Sequence, residues 1–316
     1  MLKGLVLTPP EIGRISIGKI VEKNGKRLPE KDDGFTVTSQ VQGQNGWVVH
    51  PIDETLRKTG AKLRNIPIRL LFNDPELNLR SSYSMFDRKT GRPLCVGNGE
   101  TCKRVTSSGM QTLPCPTPDA CDVGIEGYCK PYGRLNARIG DDDELGSFVF
   151  RTTGFNSIRT LSSRLSYFQA VSSGLLTTLP LELRLRGKST TQSHRAPIYY
   201  VDLTVRTGMT MIEAISSARE QSEMRLAAGF NQVALDEAAR QGFANGVFDE
   251  SEEEGAAVVE EFYPENSDDG LAGAPIGKGI ELGLVNKLHQ KAALLNGSAS
   301  AAPGTAGARQ ARQGRD

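Results

Sequence analysis

The sequence predicts an α+β protein: a mixed or antiparallel sheet with packed helices, a cysteine-rich loop insertion and a disordered C-terminal tail. Three observations predict it. Alternating apolar residues mark strands in both halves of the chain, broken by Gly, Pro, Asn and Asp. All 5 cysteines fall between positions 95 and 129, in a stretch with almost no periodic apolar pattern. From Asp249 the patterning gives way to an acidic and then an Ala/Gly-rich sequence.

Composition sets the outer limits. A chain of 316 residues suffices for one large domain or two ordinary ones. With 24% charged and 38% hydrophobic residues it is an ordinary globular mixture, which excludes disorder of the chain as a whole. No apolar run approaches the ~18 residues that span a bilayer, and the apolar stretch after Met1 is too short for a secretory signal. A cytoplasmic protein with no membrane partner is expected. The net charge of +1 conceals an asymmetry: residues 249–316 hold 12 of the 37 acidic and 6 of the 38 basic residues, leaving −6 there and +7 before it. A basic body with an acidic tail suits either a nucleic-acid surface or plain solvated faces.

Residues 1–90 read as a β-rich N-terminal part, with strand signals at Trp47-Val48-Val49 and in the alternation Ile66, Ile68, Leu70, Phe72. Residues 91–133 form the insertion. Residues 134–248 read as an α+β part that packs with the first. There Leu135, Ala137 and Ile139 alternate, as do Phe148 and Phe150. A helix follows, with Asn156 or Ser157 as N-cap, Ile158, Leu161, Leu165 and Phe168 as its apolar stripe, and Gly174 as its stop. Strands are expected at 181–186 and 198–205. Thr210-Met-Ile-Glu213 is a capping box, because hydroxyl and carboxylate satisfy each other's backbone donors; it opens a helix to about Ala228, and a second helix runs to about Ala244. Residues 249–316 read as an acidic, then Ala/Gly-rich, disordered tail.

The cysteines are spaced Cys95-x6-Cys102-x12-Cys115-x5-Cys121-x7-Cys129. An odd number clustered in a reducing compartment points to metal rather than disulfides. Zn²⁺ held by four thiolates suits an irregular, Gly- and Pro-rich segment, since the ion replaces a missing apolar core. Cys115, Cys121 and Cys129 are the tightest group, and either Cys95 or Cys102 supplies the fourth sulfur. Lys103, Arg104 and Lys130 would offset the thiolate charge. Four protein ligands leave no open position, so such a site is structural.

Gly187-Lys-Ser-Thr-Thr resembles the end of a P-loop, but position 182 is Glu182 rather than glycine and a strand follows, so it is rejected. The stretch from Leu185 to Arg195 is still a basic, hydroxyl-rich loop between two strands. Arg186, Lys188 and Arg195, with Arg159 and Arg164 on the preceding helix, are candidate nucleic-acid or phosphate contacts; a solvated hairpin is the bland alternative. His50, His194 and His289 are scattered without ligand spacing. No catalytic constellation emerges.

Cys95-Val-Gly-Asn-Gly-Glu, Cys115-Pro-Thr-Pro-Asp-Ala-Cys121, Tyr128-Cys129-Lys-Pro-Tyr-Gly-Arg-Leu, Phe150-Arg-Thr-Thr-Gly-Phe-Asn-Ser-Ile-Arg159 and Leu179-Pro-Leu-Glu-Leu-Arg-Leu together carry a family resemblance over roughly residues 60–210. In these the chain resembles the recombination directionality factor-like proteins of phages and integrative elements. The resemblance implies Cys95, rather than Cys102, as the fourth ligand beside Cys115, Cys121 and Cys129. It implies a non-enzymatic role, because members of that family bind a serine integrase and switch its synapsis toward excision. Relatives of this longer form look like mobile-element proteins loosely described as hydrolase or metal-binding. The expectation is therefore a zinc-binding protein of mobile-element site-specific recombination, with an integrase as partner and DNA as a further one. The alternative is a metal-dependent hydrolase or nuclease, which needs a second, open metal site from residues such as Asp141, Asp143 and His194.

Overall fold

The computed structural model describes residues 10–23, 26–43, 46–57, 61–124, 128–141, 146–189, 191, 195, 197–245, 255, 258–259 and 262–263; on residues 19–23, 26–31, 42, 46 and 243–245 only the backbone is described. The chain divides into two compact units, Met1–Ser267 and Asp268–Asp316, and the second lies wholly outside the described residues.

In chain order the described strands are β1 (Glu11–Lys23), β2 (Lys26–Gly43), β3 (Gly46–Val49), β4 (Asn65–Arg69), β5 (Leu79–Phe86), β6 (Pro93–Gly97), β7 (Thr101–Thr106), β8 (Gly109–Pro114), β9 (Lys130–Ile139), β10 (Ser147–Thr152), β11 (Leu181–Lys188) and β12 (Ile198–Val205). The helices are α1 (Pro51–Leu56), α2 (Pro75–Asn78), α3 (Phe155–Val171), α4 (Met211–Ala227) and α5 (Gln232–Asn245). The strands follow the order β3-β2-β1-β10-β9-β5-β6-β7-β8, and a branch carries β4, β11 and β12. Only the β1–β10 pairing is parallel among those described, so the sheet is mixed and largely antiparallel, as the patterning predicts.

β9 joins the two parts of the sheet. It pairs with β10 and β5 along most of its length, and its end pairs with β4 through Ile68↔Ile139. Leu135, Ala137 and Ile139 project from it into the core with Phe148 and Phe150 of β10, Ile66 and Ile68 of β4, and Leu181 and Leu183 of β11. The stripe of α3 closes this core through Leu161, Leu165 and Phe168. Burying each such side chain stabilises the fold by about 1.5–3 kcal/mol. Helix and sheet approach closely at Gly133, where a Cβ would stand 2.8 Å from Ile158 Cγ1.

Several sequence expectations are refined. Helix α3 starts at Phe155 with Gly154 as N-cap, not at Asn156 or Ser157. Both polar side chains are used elsewhere: Ser157 Oγ accepts from the Val201 backbone N–H at 3.1 Å, and Asn156 Oδ1 accepts from Lys188 Nζ at 2.8 Å. The capping box at Thr210 and Glu213 is present with both reciprocal bonds. The larger correction concerns residues 91–133. Instead of a loop without secondary structure, β6, β7 and β8 extend the sheet as two successive hairpins from the edge of β5. Backbone pairing onto an existing strand edge creates these strands without an apolar pattern. The tail expected from Asp249 lies outside the described residues, apart from Gly255, Val258, Val259, Phe262 and Tyr263. Val258 and Phe262 are buried against Phe86 and Tyr132.

Candidate metal centre

The cysteine module is built from two tight turns. Between β6 and β7 the Asn98 side chain accepts from the backbone N–H groups of Glu100 and Thr101, both at 2.8 Å, and Gly99 takes φ +97°. This brings Gly97 opposite Cys102 and Cys95 opposite Arg104. β8 returns along β7, so Cys102 faces Leu113, and Cys115 N–H donates to the Glu100 carbonyl at 2.8 Å. A single 3-10 turn at Pro118–Ala120 then leads to Cys121.

Cys95, Cys102 and Cys115 are buried together, with Met85 and Leu113 packed against them. Cys121 and Cys129 are half-buried beside them. All five are free thiols. Gly97 leaves room for this packing, because a Cβ there would stand 2.7 Å from Cys115 Sγ and 2.7 Å from Cys102 Cβ.

Arg104 organises the sulfurs. Its Nε donates to Cys95 Sγ at 3.4 Å and an Nη to Cys121 Sγ at 3.2 Å. Its pKa rises, chiefly through the bonds to Cys95 and Cys121. Burial alone would raise the Cys121 thiol, yet Arg104 and the backbone N–H groups of Gly124 and Val123 hold it below its ordinary value. Cys129 is pushed up to about 12, first by burial and then by the proximity of Cys95, Cys115 and Cys121. Cys102 is pushed up to about 11 by burial and by Cys95, and its thiol donates to the Pro114 carbonyl at 3.7 Å.

Of the four expected ligands, Cys95, Cys115 and Cys121 act electrostatically on Cys129, while Cys95 and Cys115 are buried together with Cys102. Among the described residues, however, no group of three or more His, Cys, Asp or Glu side chains meets the geometry of a metal site. Two of the four sulfurs are bridged by the guanidinium of Arg104. Lys130, expected to offset thiolate charge, is directed elsewhere: its Nζ donates to the Phe262 carbonyl at 3.3 Å.

The basic candidates gather where α3 meets β11 and β12. Arg164 Nε donates to Asp202 Oδ1 at 3.0 Å and Arg186 Nε to Asp202 Oδ2 at 2.9 Å, so one buried carboxylate holds both. Their side chains remain 46% and 42% exposed, which leaves each a face open to solvent. Lys188 and Arg195 line an open cavity of about 420 Å³ with Arg64, Ser189, Tyr199 and Asp33. Arg159 is exposed on α3.

The residues of the hydrolase alternative are otherwise engaged or undescribed. Asp141 accepts from Arg69 at 2.7 Å and from Arg206 at 2.7 Å, and these partners lower its pKa to about 2 against burial. Asp143 and His194 lie outside the described residues. His50 has a structural role, since its Nδ1 accepts from the Ile52 N–H at 3.2 Å to cap α1.

Sequence reasoning missed an arginine row. Arg80, Arg134 and Arg151 stand opposite one another on β5, β9 and β10. Arg134 and Arg151 are buried, as are Arg14 and Arg138. Alternation of arginine with core residues on β9 was the available signal, but it reads equally as a solvated face.

Residues 12–206, more than half of the chain, match a family model described as Gp3-like, recombination directionality factor-like. No curated protein and no solved structure matches the chain. No described helix is long and apolar enough to cross a membrane.

Proposed function

The chain belongs to the Gp3-like, recombination directionality factor-like family, and from that premise we propose that it is a zinc-binding, non-enzymatic protein of mobile-element site-specific recombination. It acts by binding the recombinase, an integrase, with DNA as a second partner. The observation that carries this reading is that the matched span holds both the sheet and the cysteine module, in which Cys95 and Cys115 are buried together and Arg104 bonds Cys95 and Cys121.

Cys95, Cys115, Cys121 and Cys129 would hold the ion, and Zn²⁺ supplies a closed cross-link of four thiolates with no position left for water. Arg104 already donates to two of these sulfurs, and such bonds favour the thiolate forms that a metal requires. Cys102 stays outside the set as a thiol bonded to the Pro114 carbonyl. The DNA contacts fall to Arg159 and Arg164 on α3, Arg186 and Lys188 on β11, and Arg195 after it. They reach phosphates rather than base edges, so they position the protein without reading sequence.

The test is co-purification of the full chain from cells that contain a serine integrase, with zinc measured on the same sample. One zinc per chain, lost in Cys129→Ser, and recovery of the integrase are expected. A folded chain without metal removes the zinc reading, and failure to retain any integrase removes the partner. Direct DNA binding predicts an anisotropy titration whose affinity falls steeply with salt, because phosphate contacts release counterions.

A further inference from the structure

The segment carrying Val258, Phe262 and Tyr263 is far in sequence from the residues it covers. Phe262 meets Phe86 and Tyr132 edge-to-face, with ring centroids 4.9 and 5.9 Å apart. Val258 and Phe262 are almost fully buried there. Backbone meets backbone at Gly255, where a Cβ would stand 2.7 Å from the Thr90 carbonyl oxygen, and at Gly91, where it would stand 2.3 Å from Gly255. This is a built seat, because both sides omit side chains to allow the approach.

The seat shares its walls with the cysteine cluster. Tyr263 hydroxyl contacts the carbonyls of Phe86 at 3.2 Å and Tyr128 at 3.1 Å. Lys130 Nζ donates to the Phe262 carbonyl and lies 5.6 and 5.3 Å from the ring centroids of Phe262 and Tyr263. Tyr128 and Lys130 are the two chain neighbours of Cys129. Phe86 follows Met85, which pairs with Cys95 and packs on the buried cysteines. On β5 the segment and the cluster thus hold the adjacent residues Phe86 and Met85, and at the start of β9 the segment holds Lys130 next to Cys129.

We infer that the aromatic slot of Phe86, Tyr132 and Lys130 is a peptide-docking site, occupied by the chain's own segment around Phe262, and that the cysteine cluster sets whether the segment stays docked. An ordered Cys129 fixes Tyr128 and Lys130, and so fixes the carbonyl and ammonium that hold Tyr263 and Phe262. Loss of that order removes both at once and frees the segment, which follows directly on the acidic run Asp249–Glu254. The coupling is reciprocal, since undocking releases the same neighbours of Cys129. The metal-dependent part rests on the zinc reading above.

The experiment uses the full chain and follows hydrogen exchange of the peptide that contains residues 255–263, with and without a zinc chelator, alongside zinc content. Exchange in that peptide should rise on stripping. Phe262→Ala should also speed zinc loss to a colorimetric chelator by about tenfold, as removal of outer-shell support does. Tyr263→Phe, which deletes only the hydroxyl contacts, should do so by less. Equal protection in loaded and stripped protein, or zinc loss at the wild-type rate in both variants, overturns the inference. If the protein carries no zinc, the metal reading fails on its own and the coupling is read from alkylation of Cys129. Faster alkylation in Phe262→Ala then supports the coupling, and equal rates overturn it.

Discussion

Glu11, at the start of β1, reaches across β10 to the guanidinium of Arg134 on β9, two places away in the sheet. Asn136 donates to the same oxygen, Oε1, at 3.1 Å, and the other oxygen, Oε2, lies 3.6 Å from Arg151. The carboxylate and both arginine side chains are buried, at 10%, 4% and 1% exposure. Removing one partner of a buried pair leaves charge without compensation, so Glu11→Ala should cost about 3 kcal/mol. Urea denaturation measures it, and a change within experimental error would refute the assignment.

The same residue predicts a pH dependence. Burial alone would raise the Glu11 pKa, but Arg134 and Arg151, with the bonds from Arg134 and Asn136, hold it below its ordinary 4.5. A depressed folded value means that its contribution is complete above pH 4.5 and is lost as pH falls from there through the folded value. Wild-type protein should lose stability more steeply than Glu11→Gln below that pH. Parallel profiles would place the acid sensitivity elsewhere.

Asn78 uses all four of its hydrogen-bonding positions. Its Oδ1 accepts from the N–H groups of Leu71 and Phe72, both at 3.1 Å, and its Nδ2 donates to the carbonyls of Phe72 and Asp74 at 2.7 and 2.8 Å. Asn78→Ala leaves buried backbone groups unpaired and should cost about 3 kcal/mol. A thermal melt that matches wild type would show that water replaces these bonds.

At Gly97 the prediction is steric. A methyl group would meet Cys115 Sγ and Cys102 Cβ at 2.7 Å, and the Cβ is fixed by its own backbone. Gly97→Ala should therefore disorder the module and expose its thiols to alkylation under native conditions. Unchanged labelling of Cys95, Cys102 and Cys115 would contradict the packing described.

Arg104→Ala tests the sulfur organiser. It deletes donors to Cys95 and Cys121 while leaving all five thiols in place. On the zinc reading, affinity for the ion should fall by about 10- to 100-fold, the usual effect of losing an outer-shell donor. Competition with a zinc indicator measures this, and an unaltered constant would reduce Arg104 to a surface charge.

The sequence by itself determined whatever depends on near neighbours. The alternations Leu135–Ala137–Ile139 and Phe148–Phe150, the stripe Ile158–Leu161–Leu165–Phe168 and the Thr210–Glu213 cap each lie within one element, and the structure has them all. The concentration of cysteines in one segment was equally plain. What only the tertiary structure decided is which strands lie side by side. On β9 the second face is buried as well, so Arg134 and Arg138 are buried rather than solvated, Arg134 against Glu11. The edge of β5 supplies backbone partners, so the cysteine segment forms strands without an apolar pattern. Phe262 finds its seat 176 residues away at Phe86 because two chain-distant glycines allow the backbones to touch. Periodicity records only which side chains share a face; the neighbours of that face are set by pairing across the whole chain, which no local pattern encodes.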